Sequence, residues 1–338
     1  MESSTEPVRV LASIDELLAG ASHREPLVAS DGKSGNELER VVVDGRRLVV
    51  KHMTLAGDWI MRVTGDRVFW PYLAARAGLY DRVPSCIDHA VVAMALEGDA
   101  LTGMLHVVMR DVGDEVIPEG DAPVTVEQHR GFLTHMAEMH ASYWGWRDQV
   151  GLQSMEQRLL PFAPATIPPE LARVDVAGPV AVAHEGWSQL GQRAPSLADL
   201  VFRLHGDPGP LVVALATTPT TFLQGDWKMG NLGWHPDGRT ILLDWAYLGA
   251  GPATWDLMWY LALNCARLPE SKESSIETYR AALEAAGVET ESWWERQVGL
   301  AAIGMMVCFA WEKAVGVDDE LAWWVDRVDD ARRWLHGL

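Results

Sequence analysis

The stretch that decides the fold runs from residue 222 to 233 and reads FLQGDWKMGNLG, and a second stretch, 241–249, reads ILLDWAYLG. Each is a short apolar run of strand type that stops at an aspartate, Asp226 in the first and Asp244 in the second. Asn231 follows Asp226 by five residues. Asp and Asn are common turn formers, so two polar loop ends on a sheet are the simplest interpretation. The spacing of the three residues indicates a more specific arrangement.

Phosphoryl transfer needs this set of side chains. One aspartate accepts or orients the proton of an attacking hydroxyl, while an asparagine oxygen and a second aspartate hold Mg²⁺ on the nucleotide phosphates. Protein kinases carry the same spacing in the pattern H-R-D-x-x-x-x-N followed by D-F-G. Asp226 fits the first role, and Asn231 and Asp244 fit the metal roles. Lys228, two residues after Asp226, is placed to contact the transferred phosphoryl group.

The first third of the chain has the pattern of a β-sheet. The apolar segments VVV (41–43) and LVVKHM (48–53) flank Asp44 and Gly45, which is a strong hairpin signal. Further strands are expected around 88–96 and 103–109, and a helix over 66–77. We therefore predict a sheet of about five strands with one inserted helix.

The remainder of the chain has a helical pattern. Apolar residues recur at spacings of three and four in most of it, interrupted by two short strands within 220–244. The expected helices span 126–144, 180–205, 256–267, 276–286, 293–315 and 318–336. The predicted fold class is α+β with two lobes, a small β-rich N-terminal lobe (1–113) and a larger, mainly helical C-terminal lobe (114–338).

Composition and charge exclude several classes of function. The net charge is −19, with 12 Lys+Arg against 16 Asp+Glu in residues 1–113 (−4) and 16 against 31 in residues 114–338 (−15). Nucleic acid and anionic membranes need a basic face, so we predict neither as a partner. The acidic C-terminal part favours a cationic small molecule as the substrate. Three widely spaced cysteines without a CxxC pair, and an N-terminus without a secretory signal, predict a cytoplasmic protein with reduced thiols.

Three other site patterns fail. HMAEMH (135–140) places its histidines five residues apart rather than the four that a zinc helix needs. The segment LHGDPGP (204–210) contains His-Gly-Asp, but Val212 stands where the metal-binding asparagine would be required. No G-x-S-x-G and no Walker A sequence occurs.

The motifs resemble those of the aminoglycoside phosphotransferase and choline kinase-like branch of the protein kinase-like fold. LQGDWKMGNLG (223–233) is similar to the H-G-D-x-x-x-x-N loop of that family, and LLDWAYLGAGPATWDL (242–257) is similar to its I-D-W-E-x-x-x-x-G-P-x-x-x-D-L segment. The likeness extends over roughly residues 24–290. It implies a small-molecule kinase in which Asp226 is the catalytic base, Asn231 and Asp244 bind Mg²⁺, and Asp256 braces the catalytic loop. One departure is Gln224, which stands where the family usually has histidine.

The resemblance also implies a nucleotide clamp in the N-terminal lobe. Lys51 is expected to pair with the α- and β-phosphates, and Asp66 is the best match to its acidic helix partner, which is normally glutamate. The turn at 30–36, with Ser34, Gly35 and Asn36, would cover the phosphates. In the hinge between the lobes, Met109 to Asp111 would bind the purine through the main chain. The nucleotide is expected to be ATP, with GTP as the alternative.

Two other functions compete with this one. Gln224 and Asp66, which depart from the family pattern, would suit a non-catalytic nucleotide-binding protein of the same fold. A protein kinase is the second alternative, but only eleven residues separate Asp244 from Asp256, which leaves no room for a long activation loop. A small-molecule hydroxyl acceptor suits that brevity better. The acceptor's identity and the oligomeric state are not determined by the sequence.

Overall fold

The computed structural model describes residues 7–27, 34–99, 102–173 and 178–335. The strands in these ranges are β1 (Arg9–Leu11), β2 (Ala21–Pro26), β3 (Glu37–Val43), β4 (Arg46–Thr54), β5 (Ile87–Asp88), β6 (Val91–Glu97), β7 (Met104–Arg110), β8 (Thr221–Leu223), β9 (Leu232–Trp234), β10 (Thr240–Leu242) and β11 (Gly249–Gly251). The helices are α1 (Asp15–Leu18), α2 (Trp59–Thr64), α3 (Trp70–Arg76), α4 (Val126–Ser142), α5 (Met155–Arg158), α6 (Ile167–Leu171), α7 (Gly178–Arg193), α8 (Pro195–Gly206), α9 (Gly209–Ala216), α10 (Thr254–Leu263), α11 (Lys272–Ala285), α12 (Trp294–Val315) and α13 (Asp318–Ala331).

The N-terminal part is built on a six-stranded sheet with the order β1-β6-β7-β4-β3-β2. Neighbouring strands are antiparallel except β1, which pairs in parallel with β6. The predicted hairpin is confirmed, because Val43 pairs with Arg46 around a turn in which Asp44 (φ 50°) and Gly45 (φ 76°) both have left-handed backbone. That combination is the type I′ turn, whose twist matches that of the flanking strands.

The sheet is one strand wider than expected, and two helices, α2 and α3, rather than one are inserted between its strands. The additional strand is the three-residue β1, too short to produce a periodic signal in the sequence. Helix α1 follows it, and Ile14 and Leu18 lie in an apolar cluster with Val41, Val50 and other side chains of the sheet. The additional helix is α2. Its six residues contain two polar side chains, Arg62 and Thr64, so the sequence shows no helical repeat of apolar and polar residues.

Helix α12 is the centre of the C-terminal part, and eighteen of its 22 residues are buried. Among the described residues it is the one helix long and apolar enough to cross a membrane, but 89% of its most apolar window is covered by the protein itself. Glycine allows neighbouring elements to approach closely, as at Gly186 and Gly304. A Cβ built on Gly186 of α7 would lie 2.1 Å from the Trp311 carbonyl oxygen, and one on Gly304 would lie 2.5 Å from the Trp255 ring.

Two small sheets carry the two sequence motifs of the opening stretch. β8 pairs with β11, and β10 pairs with β9 and with β5. The ends of β8 and β10 carry Asp226 and Asp244, so these pairings bring the two aspartates to one place. The predicted α+β class, with a β-rich N-terminal region and a helical C-terminal part, is confirmed. The division at residues 113 and 114 stays a prediction. It falls between the end of β7 at Arg110 and the start of α4 at Val126.

Candidate active site

The loop after β8 turns sharply at Gly225, which has a left-handed backbone (φ 88°). A Cβ at this position would lie 2.4 Å from the Tyr247 carbonyl oxygen and 2.5 Å from Nη1 of the buried Arg158. Glycine is therefore required both by the backbone angle and by the space. The turn directs the next residue, Asp226, into the interior, where it is 5% exposed.

The Asp226 carboxylate is held by two side chains of the C-terminal part. Trp259 Nε1 in α10 donates to Oδ1 at 2.9 Å, and Asn231 Nδ2 donates to Oδ2 at 2.8 Å. Lys228 Nζ lies 3.5 Å from Oδ2. Burial raises the pKa of Asp226; Lys228 opposes this rise, and the nearby Asp244 adds to it. A carboxylate with a raised pKa is a better proton acceptor than an ordinary aspartate.

Asn231 ends a short 3-10 turn, and its side-chain nitrogen donates two hydrogen bonds to Asp226. Nδ2 also donates to the Asp226 carbonyl oxygen at 3.0 Å. Because both bonds use the nitrogen, the side-chain oxygen Oδ1 is the atom with which Asn231 would bind a cation. An oxygen donor is what Mg²⁺ prefers.

Asp244 follows β10 in a left-handed conformation (φ 53°), which is uncommon for a residue with a side chain. Lys51 Nζ, from the middle of β4, donates to Asp244 Oδ1 at 2.8 Å across 193 residues of sequence. Burial would raise the pKa of Asp244, but the Lys51 and Lys228 ammonium groups hold that pKa below its ordinary value. Asp244 is therefore ionised at neutral pH, and Oδ2 remains for a metal ion.

Gln224 connects the two motifs. Its Nε2 donates to the Leu243 and Asp244 carbonyl oxygens at 3.1 and 2.8 Å, and its Oε1 accepts the Asp226 N–H at 2.8 Å. One side-chain amide thus fixes the backbone before Asp226 against the backbone at Asp244. A neutral amide has both donors and an acceptor, so glutamine can perform this role without titrating.

Asp256, at the start of α10, binds the backbone of the same loop. It is fully buried, and its Oδ2 accepts the Gln224 and Gly225 N–H groups at 3.1 and 3.4 Å. His140 Nε2 lies 3.3 Å from that oxygen, and His140 Nδ1 is 2.6 Å from the Tyr279 hydroxyl. These contacts match the bracing role that the sequence predicted for Asp256.

The structure does not form the predicted pair between Lys51 and Asp66, so this expectation was wrong. The Asp66 carboxylate accepts the backbone N–H groups of Val68 and Trp70, both at 3.1 Å, and thereby caps the entry to α3. Lys51 instead pairs with Asp244. A side chain that accepts local backbone bonds is held in the turn and cannot extend to a distant ammonium group.

Sequence reasoning missed Asp58, which is the acidic residue of this region that senses Lys51. Its Oδ1 accepts the N–H groups of Ile60 and Met61 and so caps α2. Burial raises the pKa of Asp58, and Lys51 lowers it. The available signal was an N-cap residue before WIMRVT, a helix too short to show periodicity.

The predicted phosphate turn lies partly outside the described residues, which begin again at Ser34 after residue 27. Gly35 has a left-handed backbone (φ 88°), and a Cβ there would lie 2.7 Å from the Gly57 carbonyl oxygen. Asn36 Nδ2 donates to Ser34 Oγ at 2.8 Å and to Asp58 Oδ2 at 2.6 Å. The end of the turn is therefore attached to the start of α2.

The two hinge residues have different surroundings. Met109 lines a small cavity of about 20 Å³ together with Lys51, Asp244 and Trp245, so it lies beside Lys51. The Asp111 carboxylate points away from this cavity. It lies 2.9 Å from Arg40 Nε and 3.7 Å from Arg47 Nε. Any contact of Asp111 with a purine would thus use its main chain, as the sequence interpretation assumed.

Aromatic rings lie beside Asp226. Its partner Trp259 contacts Tyr247 and Phe309, with ring centres 5.7 and 4.8 Å apart. In the acidic C-terminal part, Glu320 pairs with Lys272 and Lys313. The His205-Gly-Asp207 segment ends helix α8, and Asp207 accepts the Gly209 N–H, as expected for a turn.

No three His, Cys, Asp or Glu side chains in the described ranges are grouped so as to hold a metal ion. Asn231 and Asp244 would thus supply two oxygen ligands, and phosphate oxygens and water the others. Mg²⁺ is commonly bound in this way in kinase sites, because it keeps several waters and takes few protein ligands.

The chain matches a known protein family and is similar to several solved structures. The family model described as the phosphotransferase enzyme family (APH) matches residues 31–295. Curated proteins give no match. The chain is similar to the amicoumacin kinase hAmiN in complex with AMP-PNP, Ca²⁺ and Ami (TM-score 0.51, 14% identity, 94% of this chain and 92% of that one). It is also similar to a microcompartment-associated aminopropanol kinase (TM-score 0.51, 14% identity, 95% and 96%).

A third similar structure is LicA in complex with AMP (TM-score 0.50, 13% identity, 95% and 96%), LicA being a choline kinase from Streptococcus pneumoniae. At these identities the likeness shows a common fold and not a common substrate.

Proposed function

The chain belongs to the phosphotransferase enzyme family, as its motifs predicted, and from this we propose an ATP-dependent kinase that transfers the γ-phosphoryl group to a hydroxyl of a small molecule. The observation that carries the proposal is the meeting of Asp226, Asn231, Asp244, Lys51 and Lys228. Contacts of 2.8–3.5 Å join these side chains in two groups, Asp226 with Asn231 and Lys228, and Asp244 with Lys51. The two groups lie close enough for Lys228 to act electrostatically on Asp244. They come from distant parts of the sequence, and kinase sites use a lysine, two aspartates and an asparagine of this kind for phosphoryl transfer.

We assign the divalent cation to Asn231 Oδ1 and Asp244. Both are hard oxygen donors, and Asp244 is kept ionised by Lys51, so the donor set fits Mg²⁺. When bound, the cation neutralises charge on the β- and γ-phosphates. Lys51 would contact the phosphates nearest its strand, and its present bond to Asp244 keeps it in position for that contact.

Asp226 is proposed as the proton acceptor. Trp259 and Asn231 fix both carboxylate oxygens, so the carboxylate cannot rotate away from an acceptor hydroxyl. Each carboxylate oxygen has further lone-pair capacity for the incoming proton. The raised pKa increases the basicity of Asp226, while Lys228 keeps a positive charge beside the group that is being transferred.

We propose a small acceptor, and a cationic one, such as an amino sugar or another amino alcohol. The charge of −15 on residues 114–338 and the aromatic rings of Tyr247, Trp259 and Phe309 support a cation, because both attract positive charge. The amicoumacin, aminopropanol and choline kinases named above, which are similar in fold, support a small-molecule acceptor. The short segment between Asp244 and Asp256 argues against a protein as the substrate.

The bonds of Gln224 also weigh against a non-catalytic relative of the same fold. Its departure from the usual histidine was the main reason for that alternative. In the structure the glutamine amide makes three bonds that hold both motifs in register.

The test of the assigned roles is Asp226→Asn. We expect this variant to bind ATP and Mg²⁺ as the parent does, because Lys51, Asn231 and Asp244 are unchanged, and to lose turnover by about a hundredfold or more. Nucleotide binding is measured by thermal shift with a non-hydrolysable ATP analogue, and turnover by ADP release. Unchanged turnover would refute the role of Asp226.

The acceptor is best found by a thermal-shift screen with the ATP analogue and Mg²⁺ present. Amino sugars, amino alcohols and their uncharged counterparts form matched pairs. The proposal predicts larger shifts for the amines. If the uncharged partners shift the protein equally, the cationic class is wrong while the kinase assignment stands.

A further inference from the structure

A pair of histidines occupies the face of the sheet opposite to the nucleotide side. His52 follows Lys51 in β4, so the two side chains point to opposite faces of the strand. His52 is directly opposite His106 of β7 in the antiparallel register. The two Nδ1 atoms are 2.7 Å apart, and the rings are nearly perpendicular at 85°.

Carboxylates lie at both outer ends of this pair. Glu39 Oε1 of β3 is 3.2 Å from His52 Nε2, and Glu97 Oε2 of β6 is 3.9 Å from His106 Nε2. Glu97 is itself fixed, because its Oε1 accepts bonds from the Ser13 hydroxyl at 2.7 Å and the Ile14 N–H at 3.2 Å. Four adjacent strands thus contribute one Glu-His-His-Glu row.

Hydrogen bonding assigns the ring nitrogens of this pair. Glu39 accepts from His52 Nε2 at 3.2 Å, which leaves the lone pair of a neutral His52 on Nδ1. His106 then donates its Nδ1–H to that lone pair at 2.7 Å, while its Nε2 is 3.9 Å from Glu97, too far for a hydrogen bond. If the His106 hydrogen moves from Nδ1 to Nε2, the nitrogen that faces Glu97, both Nδ1 lone pairs are directed at one point.

The surroundings are also negative. Besides Glu39 and Glu97, Asp15 of α1 acts on His106 electrostatically. Arg24, which binds Glu39 at 2.6 and 3.0 Å, is the basic side chain that contacts the row. Three carboxylates against one guanidinium favour a bound cation.

We propose that His52 and His106 form a two-ligand site for a divalent transition-metal ion of the Zn²⁺, Ni²⁺ or Cu²⁺ type. Imidazole nitrogen suits these ions, and a metal-binding histidine typically donates its other N–H to a carboxylate, as His52 does to Glu39. Two nitrogens on one tetrahedral ion are separated by roughly 3.3 Å, given bonds of about 2.0–2.1 Å. Binding therefore moves the rings apart by roughly 0.6 Å and shifts the His106 hydrogen from Nδ1 to Nε2, beside Glu97, and water fills the remaining positions.

The site would connect the strand that carries Lys51 to the strand that leads into the hinge. His52 and His106 are 17% and 9% exposed, so the ion reaches them from the solvent side of the sheet and does not pass through the nucleotide cleft. Because the folded chain alone presents both rings together, the ion should raise the melting temperature.

The experiment measures zinc binding rather than activity. The chelator-treated full-length protein is titrated with Zn²⁺ by calorimetry and melted with and without Zn²⁺. We compare the parent with His106→Gln, with the more exposed His52→Gln in case the first does not fold, and with Glu39→Gln. His23→Gln is the matched control, because His23 of β2 also faces a glutamate, Glu25 at 3.4 Å, but has no second imidazole assigned to it.

We expect one zinc site that is lost in both histidine variants and about tenfold weaker in Glu39→Gln, the lower end of the effect of an outer carboxylate. The His23→Gln protein should bind as the parent does. The proposal is overturned if the parent shows no zinc-dependent rise in melting temperature, or if the folded His52→Gln protein shows the same rise.

Discussion

Gln224 illustrates what a single residue decides in this site. Its amide is the one side chain that contacts the backbone at Asp226 and at Asp244 together, within the described residues. The sequence indicated that glutamine could replace histidine here without titrating. It could not indicate the partners, since these lie 19 and 20 residues away across a sheet.

Changing Gln224 to Glu tests this connection. The substitution keeps the shape and the acceptor but removes the two N–H donations, and it places a negative charge against two carbonyl oxygens. We expect the free energy of unfolding to fall by at least about 2 kcal/mol at neutral pH, because buried acceptors lose their donors.

Gln224→His is the control for this change, since histidine has one donor and one acceptor and is expected to keep activity. Urea denaturation and turnover are the measurements. A Gln224→Glu protein as stable as the parent at neutral pH would contradict the assigned bonds.

Asp66 shows how burial acts on a residue outside the chemistry. Burial raises its pKa from 3.8 to about 6, although backbone N–H groups donate to it. The folded protein therefore binds this proton more tightly than the unfolded chain. Stability from this group is present at low pH and is lost as pH rises from about 4 to about 6.

The Asp66→Asn variant should remove that dependence. The amide cannot titrate, so the free energy of unfolding of the variant relative to the parent should rise by up to about 3 kcal/mol between pH 4 and pH 7. Any constant cost of exchanging a carboxylate for an amide does not affect the slope. Urea denaturation at several pH values measures this slope. A difference that is flat over this range would contradict the raised pKa.

At the scale of elements, the helices of the C-terminal part approach one another closely only where glycine allows it. Gly186 of α7 lies against the backbone of Trp311 in α12, and α12 in turn packs on α10, which carries Trp259 and Asp256. The sequence pattern predicts these helices but not the glycine contacts, because a glycine in a helix leaves no hydrophobic signal.

Two glycines in the same helix provide a matched comparison. Gly186→Ala places a Cβ 2.1 Å from the Trp311 carbonyl oxygen, so we expect a loss of about 1–3 kcal/mol from overpacking. Gly191→Ala meets no atom within 4 Å and should stabilise the helix by about 0.5–1 kcal/mol. Chemical denaturation measures both. Equal effects of the two substitutions would show that α7 and α12 are not in close contact at Gly186.

At the scale of the whole molecule, helix α2 joins the sheet to the C-terminal part. Arg62 of α2 forms a two-bond ion pair with Glu170 of α6, at 3.0 and 2.6 Å. The rings of Trp59 and Phe162 are in contact, with their centres 4.8 Å apart. Gln157 Nε2 donates to the Thr64 carbonyl oxygen at 3.0 Å. Since Asp58 at the start of α2 also binds Asn36, these contacts connect the turn at Ser34 to Asn36 to the C-terminal part.

A double-mutant cycle of Arg62→Met and Glu170→Gln tests this connection. The two side chains are 18% and 11% exposed, so solvent screens them little, and we expect a coupling energy of at least about 1 kcal/mol. The exposed pair Arg203 and Asp199 in α8 is the control, for which about 0.5 kcal/mol or less is expected. A coupling energy at Arg62 no larger than the control would show that this ion pair does not hold α2 to α6.

The sequence predicted much of the fold, including the hairpin at Asp44 and Gly45 and the four C-terminal helices to within a few residues at most ends. These elements have strong local signals, either a turn sequence or a long apolar period. It missed β1 and α2, which are too short for such signals. It also assigned Asp66 instead of Asp58 to the surroundings of Lys51, because either aspartate could be read as the start of a helix.

The sequence by itself determined the identities and spacing of Asp226, Asn231 and Asp244, and with them the family, since short motifs are local and the chemistry restricts them to few residue types. Only the tertiary structure decided which side chains complete the site: Lys51 on Asp244, Trp259 on Asp226, and Gln224 between the two motifs. Apart from the bond between Gln224 and Asp226, these contacts join residues 19 to 193 positions apart. Their formation depends on how the sheet and the helices pack, which no local pattern encodes.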